Sequence, residues 1–150
     1  LAAVRETFEE AGLVIGAPLA EGPAACDVPG WSDFFALGYQ PRINQLTFFA
    51  RAITPPGRTR RYDTRFFHMD ASFIAHRVET SDGELSGLHW MTMEDTRELD
   101  LPPITRVILE DLMDRIAADR LHHDVDSVPY YHFINGTFRR DKLTIEQSKP

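Results

Sequence analysis

The chain has 150 residues, 43% of them hydrophobic and 26% charged, which fits one globular domain with a usable core and argues against disorder. Its 16 basic and 23 acidic residues leave a formal charge of −7, so general nucleic-acid binding, which needs a basic surface to neutralise phosphates, is disfavoured. No apolar run approaches transmembrane length, and the lone Cys26 rules out an intrachain disulfide and reads most simply as a reducing, cytoplasmic setting.

Residues 1–11 read as an amphipathic helix. At about 100° per residue, Glu6, Glu9 and Glu10 fall at roughly 0°, 300° and 40°, while Leu1, Val4, Phe8 and Ala11 fall between roughly 140° and 220°. The acidic face therefore opposes the apolar stripe, and Gly12 can end the helix with a positive φ. Arg5 lies one turn from Glu9, close enough for an ion pair that steers it. Closely spaced carboxylates repel unless a divalent cation sits between them. On charge alone, the same pattern also describes a merely solvated helix face.

Leu13-Val14-Ile15 is a short apolar segment closed by Gly16, and residues 17–30, with Gly22, Pro23, Pro29 and Gly30, read as a surface loop. Trp31 to Leu37 is expected to be a short helix, with Ser32 or Asp33 near its start and Gly38 after it. Its aromatics, with Tyr39, suit core packing better than stacking on an adenine. Leu46 to Ile53 reads as a strand, broken by Thr54-Pro55-Pro56-Gly57. Phe66 to Ala75 alternates, which predicts a strand with Phe67, Met69, Ala71, Phe73 and Ala75 on its apolar face. After a turn at Ser81-Asp82-Gly83, Leu85 to Met91 can return as another strand.

Thr92 resembles a helix cap, with Asp95 at the third helical position. Pro102-Pro103 opens a helix over 103–120, with a core stripe of Ile108, Leu112 and Ile116 flanked by Leu109 and Met113. His122-His123-Asp124-Val125-Asp126 looks like a metal site only superficially, since histidine is favoured beyond a helix end by the dipole. Val128 to Phe138, rich in aromatics, should pack on the domain or on a partner subunit, as in a homodimer. Lys142 to Pro150 should be loosely ordered. The expected division is therefore a domain over 1–121 and an extension over 122–150.

Arg5-Glu6-Thr7-Phe8-Glu9-Glu10-Ala11-Gly12-Leu13 resembles the C-terminal half of the Nudix box, G-x5-E-x7-R-E-U-x-E-E-x-G-U, where U is a bulky apolar residue. Arg5, Glu6, Glu9, Glu10, Gly12 and Leu13 match; Thr7 replaces the first U. Further stretches resemble the branch that contains the peroxisomal coenzyme A diphosphatases and their bacterial relatives. They are Arg51-Ala52-Ile53-Thr54-Pro55-Pro56, Arg61-Tyr62-Asp63-Thr64-Arg65-Phe66-Phe67, Glu84 followed by Trp90, and Leu101-Pro102-Pro103. The resemblance covers most of residues 1 to about 121. The glycine and glutamate that begin the box, and the first strands of a Nudix sheet, would precede Leu1. They belong to a longer chain, are disordered, or come from another chain, and without them part of the sheet facing the Val4 and Phe8 stripe should be missing.

The resemblance implies an α/β fold, a Nudix-type α/β/α sandwich with a mixed β-sheet, and hydrolysis of a diphosphate linkage in a nucleoside diphosphate derivative, coenzyme A or an acyl derivative among them. It assigns Glu6, Glu9 and Glu10 as ligands of Mg²⁺ or Mn²⁺, with Arg5 orienting them. Hard oxygen donors suit those ions better than Zn²⁺. Glu84 is the first choice for general base and Glu79 its rival, and both could be solvated loop carboxylates. Arg51 and Arg65, in a local basic cluster with Arg58, Arg60 and Arg61, suit a phosphorylated substrate. A structural ion-pair network of Arg61, Asp63 and Arg65 is the competing reading. The second function class is a non-catalytic Nudix-type module that binds a nucleotide or a protein.

Overall fold

The computed structural model describes residues 1–78, 88–121 and 126–144. The first half of the chain holds α1 (Ala2–Ala11), β1 (Leu13–Val14), β2 (Gly16–Pro18), α2 (Ser32–Ala36), β3 (Tyr39–Pro41), β4 (Thr47–Ile53), β5 (Asp63–His68) and β6 (His76–Arg77). The second half holds α3 (Pro103–Ala117), β7 (Ser127–Ile134) and β8 (Thr137–Thr144), with 3₁₀ turns at Ala71–Phe73 and Asp95–Glu98. This is a mixed α/β chain. It divides into two compact units, one of Leu1–Leu46 with Met69–His89 and one of Thr47–His68 with Trp90–Pro150.

In the first unit, α1 stops where expected. Gly12 adopts φ 64° and its N–H donates to the Phe8 carbonyl at 2.9 Å, a left-handed cap that glycine takes without a Cβ penalty. The chain then enters β1, which pairs antiparallel with β6 through Leu13–Arg77 and Val14–His76. β2 pairs antiparallel with β3. A Cβ at Gly16 would lie 2.9 Å from the Gln40 carbonyl oxygen, so close strand approach requires glycine there.

The core of this unit is Val4, Val14, Ile15 and Phe34, with Phe8, Trp31, Phe35 and Tyr39 packed around it. Phe34 meets the Phe8 ring at 5.2 Å and the Trp31 ring at 5.3 Å, both edge to face, a geometry the ring quadrupoles favour. These aromatics therefore build the core. Leu1, at the end of the expected stripe, is exposed.

In the second unit, a four-stranded mixed sheet runs in the order β5-β4-β7-β8. β4 pairs antiparallel with β5 and parallel with β7. β7 and β8 form a hairpin whose turn residues, Asn135 and Gly136, have φ 48° and 76°, the two positive values that an Asn-Gly turn supplies. The aromatic segment after residue 127 thus joins the sheet. α3 packs Ile104, Val107, Ile108 and Leu112 over Phe49, Ala50, Ala52 and Tyr131. Among the described residues no helix is long and apolar enough to cross a membrane.

Three elements differ from expectation. The strand predicted over Phe66 to Ala75 ends at His68. Asp70 then accepts a hydrogen bond from the Ser72 N–H at 2.8 Å and caps a 3₁₀ turn, a local bond that competes with strand pairing. Its faces are also reversed: Phe66 packs on the core while Phe67 is exposed. Most residues that set the predicted phase lie beyond the strand's end.

The return strand over Leu85 to Met91 is not formed at residues 88–91, and 85–87 lie outside the described residues. Thr92 and Asp95 do exchange the reciprocal capping bonds, at 3.1 and 3.3 Å, but the turn they hold is only the 3₁₀ segment Asp95–Glu98. Finally, α3 ends at Ala117 and Ile116 is exposed. Steps of four residues rotate by roughly 40° each, so a stripe drawn through 108, 112 and 116 drifts off the buried face.

Candidate active site on the first helix

The polar face of α1 carries the residues of the motif. Arg5 Nη1 donates to Glu9 Oε2 at 2.5 Å, and Nη2 donates to Glu6 Oε1. One guanidinium therefore bridges two of the three carboxylates. The Glu9 hydrogen bond, with the charges of Glu6 and Glu9, raises the Arg5 pKa against the opposing effect of desolvation. Glu10 is exposed and makes no ion pair with a described residue. The Arg5–Glu9 pair is the one the one-turn spacing predicted; the contact with the adjacent Glu6 was not foreseen.

A loop closes over this pair. Gly30 has φ 77°, and a Cβ there would lie 2.9 Å from both Arg5 Cδ and Glu9 Oε1. The positive φ calls for glycine, and a side chain there would also have to push the Arg5 and Glu9 side chains aside. Gly30 was read only as loop punctuation, and nothing in sequence spacing links it to Arg5.

Among the described residues, no three His, Cys, Asp or Glu side chains are grouped to hold a metal ion. The donor set itself suits a hard cation: three carboxylates on an exposed helix face, two of them already bound by a positive group. Exposed ion pairs of this kind are weak and exchange readily. The residues fit Mg²⁺ or Mn²⁺ in donor chemistry, while their grouping would have to tighten from the one described.

The remaining expected site residues fall elsewhere. Glu84 and its rival Glu79 lie outside the described residues, as do His122, His123 and Asp124. Arg51 and Arg65 belong to the second unit, as directly opposed residues on β4 and β5. Arg51 forms a two-bond fork with Asp63, at 2.7 and 2.5 Å, and lies over the Tyr130 ring at 5.1 Å. The Arg51 hydrogen bond holds the Asp63 carboxyl below its usual range. Arg51 thus has an intramolecular carboxylate partner, whereas Arg65 is exposed. The structural pair at Asp63 is made by Arg51; Arg61 instead donates to the Thr54 carbonyl at 3.2 Å.

A polar triangle in the second unit was missed altogether. Tyr131, 1% exposed, donates its hydroxyl proton to Asp111 Oδ2 and accepts from Arg140 Nε at 2.8 Å. Arg140 Nη2 closes the triangle on Asp111 Oδ1 at 3.1 Å. Burial and the bond to Asp111 push the Tyr131 hydroxyl up to about 12, with Arg140 opposing. The available signal was Asp111 itself, an acid between Ile108 and Leu112 on the apolar side of a helix.

Comparison with protein-family models, curated proteins and solved structures finds no match to this chain.

Proposed function

We propose that the chain is a Nudix-type hydrolase that cleaves a diphosphate linkage in a nucleoside diphosphate derivative, coenzyme A or an acyl-coenzyme A among the candidates. The observation that carries this reading is the α1 face, where Glu6, Glu9 and Glu10 share one helix side opposite the buried Val4, just before a left-handed Gly12. The charged motif residues Arg5, Glu6, Glu9 and Glu10 fall on that one face, while Gly12 caps the helix and Leu13 opens β1. The Nudix α/β/α sandwich and a cytoplasmic location belong to the same proposal.

Glu6, Glu9 and Glu10 would hold Mg²⁺ or Mn²⁺, which when bound neutralises diphosphate oxygens and acidifies a water. Arg5 orients the Glu9 carboxylate through the bond already formed, as outer partners of metal ligands do. Glu84 is proposed as general base, and Arg65, exposed on β5, as a substrate-binding arginine.

The test is a panel of coenzyme A, NAD(H), ADP-ribose and nucleotide sugars with Mg²⁺, assayed on a verified full-length protein. Phosphate-ester products from at least one are expected. Glu9→Gln should lower turnover by orders of magnitude, because a carboxylate ligand is removed without touching the core. No product from any substrate, together with no Mn²⁺ binding, would leave the second reading: a non-catalytic module for a nucleotide or protein. The engagement of two carboxylates by Arg5 is what favours that alternative.

A further inference from the structure

The last turns of α3 and the β7–β8 hairpin enclose a cleft of about 420 Å³. Four cationic side chains line it: Arg115, Arg120, Arg140 and Lys142. Arg140 is neutralised within the Tyr131–Asp111 triangle. Arg115, Arg120 and Lys142 make no ion pair or side-chain hydrogen bond with a described residue. The negative end of a helix dipole accounts for arginines near the end of α3, but not for their convergence with a lysine from a strand.

Arg115 is the central group. Its guanidinium lies against the Phe49 ring at 5.9 Å. Desolvation pushes its pKa below the ordinary arginine value, partly offset by Asp111 and reinforced by Arg120 and Arg140. A partly desolvated cation beside two others is stabilised by any anion that reaches it. Two further wall residues, Asp114 and Asp126, are carboxylates without an ion-pair partner among the described residues. They would repel a bare anion and accept hydrogen bonds from hydroxyl groups.

We propose that this cleft binds a phosphorylated polyol such as a sugar phosphate, its phosphate on Arg115, Arg120 and Lys142 and its hydroxyls on Asp114 and Asp126. The cleft lies within the second unit and uses none of the α1 residues, so it stands whether or not the hydrolase proposal does. The mixed lining explains the choice: three cations without an ion-pair partner among the described residues for one dianion, and two acceptors that select for a ligand bearing donors.

The full chain would be titrated by NMR with ribose 5-phosphate, inorganic phosphate and ribose. Saturable shifts at the amides of Arg115, Ser127 and Lys142 are expected with ribose 5-phosphate, and clearly weaker binding with phosphate or ribose alone. Arg115→Gln should weaken ribose 5-phosphate by about tenfold or more, the usual effect of losing a charge-assisted bond. Lys142→Gln, an exposed strand residue whose change leaves the core intact, should weaken it several-fold and serves if Arg115→Gln does not fold. Absent shifts, affinity unchanged in Lys142→Gln, or phosphate binding as tightly as ribose 5-phosphate would overturn the proposal.

Discussion

The two units use arginine in opposite ways. In the first, Arg5 pairs with residues one and four positions away on the same exposed helix face, and the apolar core beneath it is wholly aromatic and aliphatic. In the second, Arg140 ties a β-strand to α3 through a buried tyrosine and a largely buried aspartate. An exposed local pair contributes little to stability, whereas a network that satisfies a buried tyrosine hydroxyl is costly to leave half-made, even with Arg140 itself 56% exposed. The difference teaches where each unit can change: the first keeps its polar cluster on an exposed helix face, while the second has built its cluster into the fold.

Four measurements would break or sharpen that contrast. Phe34→Ala should be the largest, destabilising the chain by about 3–5 kcal/mol in denaturant unfolding because a fully buried ring is removed; Phe8→Ala, only half-buried, should cost less. Near-equal small effects would mean the aromatic cluster does not hold the first unit. Tyr131→Phe should follow, costing about 1–3 kcal/mol, since Asp111 loses one of its two donors and Arg140 Nε loses its acceptor.

The same hydroxyl gives a pH signature. Its folded pKa is raised from 10.0 to about 12, so the fold binds that proton more tightly than the unfolded chain does. The stabilisation is complete below pH 10 and is lost as pH climbs toward 12, on the order of 2–3 kcal/mol. Stability curves measured over that range should fall for the native chain and fall less for Tyr131→Phe; parallel curves would refute the linkage. At the small end, Glu9→Gln should leave the melting temperature unchanged or slightly raised even as turnover collapses. A large drop in melting temperature would show that the Arg5 pair is structural after all.

How much of this was legible depended on sequence distance. The α1 wheel, the Gly12 cap and the Arg5–Glu9 pair follow from i to i+4 spacing, and the Thr92–Asp95 bonds from i to i+3. β4 was legible from its run of β-formers. β5 was misphased because Met69 to Ala75 alternates by chance while Asp70 turns the chain locally. The parallel pairing of β4 with β7 and the Asp111–Tyr131–Arg140 triangle join residues far apart in the chain, and no local periodicity encodes them. On the candidate site, the helix motif pointed to Arg5 and the glutamates, but not to Gly30. The network around Asp63 was sought in Arg61 and Arg65, whereas the fork is made by Arg51, because strand register and not sequence proximity chooses among the arginines.

Because β1 finds its partner β6 only after the chain has run through β4 and β5, both units are assembled from interrupted stretches of polypeptide. Emerging from a ribosome, Leu13 and Val14 must wait for His76 and Arg77 before their edge is paired. A chain cut after His68 would therefore present an open strand edge beside the glutamate-bearing helix. Expression of such truncations should yield aggregates rather than an isolated lobe.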